Sequence, residues 1–397
     1  MKKNLLFIVL YVAVFLTSCQ KNLFELQQQD APGNVIINPD HPMKDSLQFI
    51  INKYVSQGIP GVQVAVKNAS GLFIANGGYT KLEDHSAFKY NTPSWLFSIT
   101  KVYTAALVMK MKERGLIDLD SKITHFGISE IQNNIDGADQ VTVRMLLNHS
   151  SGIVDLTGLP EFMVGQFNDP LHQPSIQQRM EMLKGKPLMF TPGSDFSYSN
   201  SNYLILQLIL EKISNKSYEV LLRTEIFTPL AFHYTWYNLP EQQTIQLGFP
   251  NYYFDRFANE QLENVSRWNT ALANACNAYG GVAADATDVL SFFRALLDGN
   301  IVSPASLAEM KTWITGQQST QPDYGLGLEY YQYNEGSTPQ FGHEGDGIGC
   351  TTQIFYVPDN NTILYINCTV GRKLYGPYLF KTTDMKNELC RYVAKWR

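Results

Sequence analysis

Ser98 and Lys101 stand three residues apart in the run Trp95-Leu96-Phe97-Ser98-Ile99-Thr100-Lys101-Val102-Tyr103-Thr104-Ala105-Ala106. A serine hydroxyl is a weak nucleophile near neutral pH and needs a base beside it. A lysine desolvated against apolar neighbours loses part of its preference for charge and can be that base. If the run is helical, residues three apart share a face and the two side chains meet. A helix start also presents unpaired N–H groups to a developing oxyanion. Acyl transfer through a covalent serine intermediate is the chemistry such a pair can do. Alone, Ser-x-x-Lys also describes a capping serine followed by a lysine whose stem lies along the surface, so the pair needs support from elsewhere in the chain.

Two other stretches offer that support. Thr191-Pro192-Gly193-Ser194-Asp195-Phe196-Ser197-Tyr198-Ser199-Asn200 is a polar turn ahead of a helix predicted to begin near Asn202. In an extended Tyr-x-Asn, alternate side chains face one side, so Tyr198 and Asn200 can line one cleft. The phenol can carry a proton, and the amide can hold a substrate carbonyl or the lysine. Phe341-Gly342-His343-Glu344-Gly345-Asp346-Gly347-Ile348-Gly349 leads into an apolar strand instead of a helix, which excludes a phosphate loop. Gly345 would let a substrate lie against an exposed strand edge, and the Asp346 N–H would be a second donor to the oxyanion. His343 is expected to face the cleft and Glu344 to face away.

The elements that must position these residues follow from periodicity. Val102, Ala105, Ala106, Met109 and Leu116 have helical spacing, with Pro93 and Ser94 upstream and Gly115 as the stop. Earlier, Leu47, Ile50, Ile51 and Tyr54 predict a helix over 46–55, and 61–66 and 72–76 read as two strands of a hairpin. The middle of the chain is helical in pattern over 143–147, 177–183, 203–213, 218–226 and 287–297. Strand patterns return at 327–333, 351–357 and 362–370, and a last helix is predicted over 378–396. Strands at both ends around a helical middle imply an α+β fold. One antiparallel sheet is built from both chain ends and flanked by helices, with an inserted all-helical lobe over roughly 115–285. A cleft between the two parts is the expected place for a site.

The first residues bear on compartment. Met1-Lys2-Lys3-Asn4 and the apolar run from Leu5 to Phe15 have the pattern of an export signal and are short for a membrane span. The run ends Leu16-Thr17-Ser18-Cys19, which resembles a bacterial lipoprotein signal. On that reading residues 1–18 are removed, Cys19 is lipidated, 19–45 form a tether and 46–397 form the domain. The protein would then sit in the cell envelope, exported and anchored to a membrane; a plain secretory signal cleaved near Ser18, or an uncleaved anchor, is the alternative. Composition is that of a globular protein, with 44% hydrophobic and 17% charged residues. Loss of Lys2 and Lys3 from the 31 basic residues takes the net charge from −5 to −7. No basic stripe exists to neutralise phosphates, so nucleic acid is not an expected partner. Cys276, Cys350, Cys368 and Cys390 are widely spaced with no Cys-x-x-Cys pair, so zinc is not expected and the thiols read as free and buried; acyl transfer through Ser98 calls for no metal or organic cofactor. A loop of two or four residues near 358–361 would put Cys350 and Cys368 on opposite faces, and one of three would set them side by side.

Together, Ser98-x-x-Lys101, Tyr198-x-Asn200 and His343-Glu344-Gly345 resemble the three motifs of the serine β-lactamase and penicillin-binding protein superfamily, whose Ser-x-x-Lys is a known signature. The likeness is to its class C-like branch, which also contains D,D-carboxypeptidases, D-aminopeptidases and esterases, and it covers 46–396. Leu146-Leu147-Asn148-His149-Ser150-Ser151-Gly152 and Gly280-Gly281-Val282 fall where that branch has similar stretches. The resemblance implies a β-lactamase/transpeptidase-like fold with Ser98 as the acylated nucleophile and Lys101 as its partner in proton transfer. Tyr198 becomes a candidate general base, Asn200 orients substrate and Lys101, and the N–H groups of Ser98 and Asp346 form the oxyanion hole. His343 and Gly345 match the third motif, which in β-lactamases reads Lys-Thr-Gly. A titratable imidazole there in place of a fixed cation argues against efficient β-lactam hydrolysis.

Other residues are better read as structural. His149 beside Ser150 and Ser151 looks like a hydrolase dyad but follows an apolar helix. Asp118 and Asp120 alternate with Leu119 after Gly115 and mark a turn. The aromatic run Phe232, Tyr234, Trp236, Tyr237, Tyr252, Tyr253 and Phe254 either lines a cleft or packs a long loop. The sequence thus leads to a lipid-anchored serine hydrolase acting on an ester or amide, with D-amino-acid peptides, including peptidoglycan fragments, as first candidates. The alternatives are a non-catalytic receptor for cell-wall fragments or penicillin using the same pocket, a β-lactamase, and a structural surface lipoprotein.

Overall fold

A computed structural model describes residues 37–397 apart from 334–335, 337 and 372–375. The signal-like residues, Cys19 and most of the tether lie outside the described residues. Residues 37–45, read from sequence as the end of the tether, pack on the domain: Ile37 bridges Leu72, and His41 and Met43 are fully buried.

The described chain opens with α1 (Lys44–Ser56), followed by the hairpin of β1 (Gly61–Asn68) and β2 (Gly71–Gly78). A single 3-10 turn, Phe97–Ile99, leads into α2 (Thr100–Glu113). The lobe contributes α3 (Pro160–Asn168), α4 (Asn200–Ser214) and α5 (Ser266–Ala275), after which α6 (Ala286–Leu297) returns to the sheet. Strands β3 (Glu329–Tyr331), β4 (Gln340–Asp346), β5 (Thr351–Val357) and β6 (Thr362–Cys368) precede the final helix α7 (Pro377–Lys395).

The main sheet has six antiparallel strands in the order β2-β1-β6-β5-β4-β3, so the two chain ends meet at the β1–β6 pair. Alternation along the strands feeds two cores. Val62, Val64, Val66, Leu364 and Ile366 pack beneath α1 and α7. Ala65, Ile354, Ile363 and Tyr365 face the larger core built around α2. Every residue of α2 from Thr100 to Met109 is buried, so this helix has no solvent stripe and carries Lys101 into the interior.

The lobe is not all-helical as its periodicity predicts. Val282–Ala284 pairs with Thr235–Tyr237 on one side and with Ser94–Trp95 on the other, and Tyr253–Phe254 pairs with Glu263–Asn264. Runs of two or three residues are too short for a period to show. The first of these small sheets tethers the lobe to the segment just before Ser98. All four described cysteines are free and buried. Val357 pairs with Thr362 across a four-residue loop, which sets Cys350 and Cys368 on opposite faces.

Candidate active site

Ser98 sits in the second position of the 3-10 turn that α2 continues, so its N–H has no partner within the helix. The preceding residue, Phe97, has φ +44°, in the left-handed region that a phenylalanine rarely adopts. Gly345 of the third motif and Gly347 just beyond it hold this turn from the other side. A Cβ on Gly345 would lie 2.0 Å from the Leu96 carbonyl oxygen, and one on Gly347 2.2 Å from the Phe97 ring. Gly345 is therefore required by the close approach of β4 to the Ser98 turn, a protein contact where the sequence suggested room for substrate. Strand β3 pairs with β4 only over Gln340–Gly342, which leaves His343–Asp346 on an edge without that neighbour.

Lys101 is fully buried, and its Nζ donates to three oxygens: Ser98 Oγ at 3.0 Å, Asn200 Oδ1 at 2.8 Å and the Tyr279 carbonyl at 3.0 Å. Three acceptors around an amine with three donor positions hold it in one place. The Tyr198 ring lies 4.9 Å from Lys101 Nζ, and its phenol is near enough to Ser98 for that side chain to act on its pKa. Burial, with the Glu329 carboxylate nearby, pushes the phenol well above its ordinary pKa while the Ser98 contact opposes this. The predicted hydroxyl, amine, phenol and amide thus converge from Ser98, Lys101, Tyr198 and Asn200. Asn200 is the first residue of α4, two positions earlier than the helix predicted from sequence.

Asn200 is itself fixed. Its backbone N–H donates to Asp155 Oδ1 at 3.1 Å, and its Nδ2 donates to Asp155 Oδ2 at 3.3 Å and Thr157 Oγ1 at 3.2 Å. Sequence reasoning missed Asp155. Its spacing from Thr157 is the signal of a short helix cap, and it does accept the Thr157 N–H, but nothing in the sequence ties it to Asn200. His149 is buried with φ +62°, and its ring lies 4.4 Å from that of Tyr198. The Ser199 N–H and Asn202 Nδ2 reach its Nδ1 at 3.2 and 3.1 Å, so this nitrogen is an acceptor. Burial and the charge of Lys101 hold its pKa well below the ordinary value, which makes it a neutral packing partner of Tyr198 and not a dyad member.

His343 does not face the cleft. It is fully buried, its Nδ1 is 2.5 Å from the Glu344 carbonyl and its Nε2 2.6 Å from the Tyr324 hydroxyl. A carbonyl only accepts, so Nδ1 carries the proton and Nε2 accepts from Tyr324. Burial and Lys101 pull its pKa down to about 3, so the imidazole expected to titrate is held neutral. Glu329 lies 3.6 Å from Nδ1 and accepts the Glu344 N–H at 2.8 Å. Its pKa is raised by burial and by the Glu344 carboxylate. Glu344 does point away, to Lys386 of α7 at 2.8 Å.

A cleft of about 130 Å³ opens beside Ser98. Asn200, Thr157 and Asp346 stand at its polar end, and Phe162, Met163 and Phe167 of α3 with Trp268 and Leu272 of α5 form its apolar wall. None of the aromatic residues in the run from Phe232 to Phe254 lines it; Tyr252, Tyr253 and Phe254 are buried in packing. Asp120 accepts both arms of Arg144 at 2.8 and 2.9 Å, consistent with a structural turn. Among the described residues no group of three or more His, Cys, Asp or Glu side chains is arranged to hold a metal ion.

The Beta-lactamase family model matches residues 40–373. The chain belongs to that family. It is a member of the serine β-lactamase and penicillin-binding protein superfamily, with the α+β fold of its relatives. Penicillin-binding protein 4 of Amycolatopsis lactamdurans is 28% identical over 357 residues, 85% of this chain and 86% of the relative. A D-stereospecific amidohydrolase from Streptomyces sp. is 25% identical with a TM-score of 0.72, over 83% of this chain and 94% of that one. A D-amino acid amidase from Ochrobactrum anthropi SV3 shares the fold at 22% identity and a TM-score of 0.74, over 88% of this chain and 98% of the other.

Proposed function

We propose that this member of the Beta-lactamase family is a serine hydrolase that forms a covalent acyl-enzyme on Ser98 from an amide or ester, with D-amino-acid amides and peptides as first candidates and simple esters next. The observation that carries the reading is the Ser98 hydroxyl, 3.0 Å from the buried Lys101 amine, beside the Tyr198 phenol and set in the wall of the cleft. In the reactive form the Lys101 amine and the Tyr198 phenol together hold one proton fewer than when both are fully protonated, and this coupled pair takes the Ser98 proton as Oγ attacks the carbonyl carbon. The carbonyl oxygen gains the negative charge and is received by the N–H groups of Ser98 and Asp346. Collapse breaks the bond to the leaving group, which takes the proton from the same pair. Water then attacks the acyl-enzyme, the pair accepts its proton and Ser98 leaves with one. Similarity to a D-stereospecific amidohydrolase supports the substrate class.

Incubation with a fluorophosphonate, followed by intact mass and peptide mapping, should place one adduct on Ser98. Turnover of D-amino-acid amides, D-Ala-D-Ala peptides, p-nitrophenyl esters and nitrocefin side by side then ranks the substrates. No adduct and no turnover of any of them would sink the enzymatic reading and leave a receptor in its place. We also propose, from residues 1–19, that the protein is exported and anchored through a lipidated Cys19. The mass of the mature N-terminal peptide tests this, and an unmodified Cys19 in the membrane fraction would refute it.

A further inference from the structure

We propose that the cleft beside Ser98 is an acyl-side pocket selecting substrates whose acyl group is large and apolar, of aromatic or medium-chain size, over the methyl group of an alanyl or acetyl donor. The inference rests on the acyl-enzyme reading above and narrows its substrate.

Two observations set the side of the scissile bond. Lys101 is fully buried and Tyr198 is not, so Tyr198 is the member of the pair that can hand a proton to the leaving group, which therefore departs on the Tyr198 side of Ser98. The cleft wall includes Ser98, Asn200 and Asp346 but not Tyr198, which places the cleft on the opposite, acyl side. Its far wall is made by Phe162, Met163, Phe167, Trp268, Leu272 and Ile348. In the free protein part of this wall faces water: Met163 is 43% and Phe167 45% exposed on α3. Covering such surface favours binding, by about fourfold in affinity for each methylene that finds apolar neighbours. A methyl group would reach little of it, whereas a phenyl or pentyl group fills the space between α3 and α5. Because the wall stands next to the reacting carbonyl, this contact also holds the acyl group against Ser98.

The purified full chain should hydrolyse p-nitrophenyl hexanoate and phenylacetate with kcat/KM more than about 100-fold above p-nitrophenyl acetate. D-Phe p-nitroanilide should likewise exceed D-Ala p-nitroanilide. Leu272→Trp narrows the pocket and should cut the hexanoate-to-acetate ratio by about tenfold or more. Met163→Ala, at a half-exposed position that the core does not depend on, should lower the same ratio about threefold to tenfold. Hydrolysis of all the esters with a ratio near one, unmoved by either variant, would overturn the pocket while leaving the serine reading intact. Absence of both ester turnover and a fluorophosphonate adduct on Ser98 would overturn the two together.

Discussion

Two polar clusters flank the Tyr198 ring, and they differ in one respect that decides what each can do. On one side Lys101 Nζ is shared among Ser98, Asn200 and the Tyr279 carbonyl, and Ser98 reaches the cleft. On the other, His343 is locked between Tyr324 and the Glu344 carbonyl, with Glu329 behind it and no surface exposed. Both contain groups with the right chemistry for proton transfer. Only the first puts a nucleophile where a substrate can meet it. The second is an internal brace, held uncharged because its ring is surrounded by protein and faces the charge of Lys101.

The largest effect should come from breaking the first cluster at its reactive atom. Ser98→Ala removes the nucleophile and should lower kcat by about 10⁴-fold or more. The thermal midpoint should stay close to wild type, since Ser98 is only partly buried in the cleft wall. Retained turnover in this variant would end the distinction between the clusters. Gly345→Ala strikes where the two meet: its methyl would overlap the Leu96 carbonyl oxygen and push β4 off the Ser98 turn. A cost of about 1–3 kcal/mol in denaturant unfolding is expected, together with a fall in activity larger than that loss of folded protein explains.

Asn200→Ala removes one of the three acceptors that hold Lys101 and should reduce kcat/KM by about 10- to 100-fold. Asp155→Asn acts one step further out. It keeps the shape but turns one accepting oxygen into an NH2 group that cannot accept, so one of the two bonds from Asn200 is lost, and about a threefold to tenfold loss is expected. If Asp155→Asn cost as much as Asn200→Ala, the carboxylate would be part of the reacting unit and not a positioning residue.

How far this division was legible in the sequence can be traced residue by residue. Ser98, Lys101, Tyr198 and Asn200 were found because each lies at fixed offsets within a short motif, and local spacing survives folding. The sheet was found because β1, β5 and β6 are short runs rich in β-branched and aromatic residues, as strands buried on both faces are. His343 was misplaced because a strand residue's face can be inferred from its neighbours, but its depth depends on what covers that face. Tyr324 is 19 residues upstream of His343 and has no motif to announce it. The cleft wall was missed for a related reason. α3 buries only Phe162 and Gln166, so its apolar residues lie all around and give no clean stripe. The strand Val282–Ala284 depends likewise on tertiary packing more than on local pattern.

His343→Gln gives the smallest expected change in rate and the sharpest test of the brace. Glutamine can still accept from Tyr324, so kcat should stay within about threefold of wild type at neutral pH. The pH dependence of stability should change instead. In the folded wild type the imidazole resists protonation down to about pH 3, whereas in the unfolded chain it protonates near the ordinary value of 6.5. Between those limits the unfolded state binds more protons, so stability is full above about pH 6.5 and is lost as the pH falls. One such group contributes a slope of up to about 1.4 kcal/mol per pH unit. His149 adds a slope of the same sign, since its pKa is also lowered. The glutamine variant should therefore lose stability less steeply than wild type in urea titrations between about pH 6.5 and pH 4, with the His149 share remaining. An unchanged slope would mean that His343 takes up a proton in the folded state, which would return it to the set of groups able to titrate during catalysis.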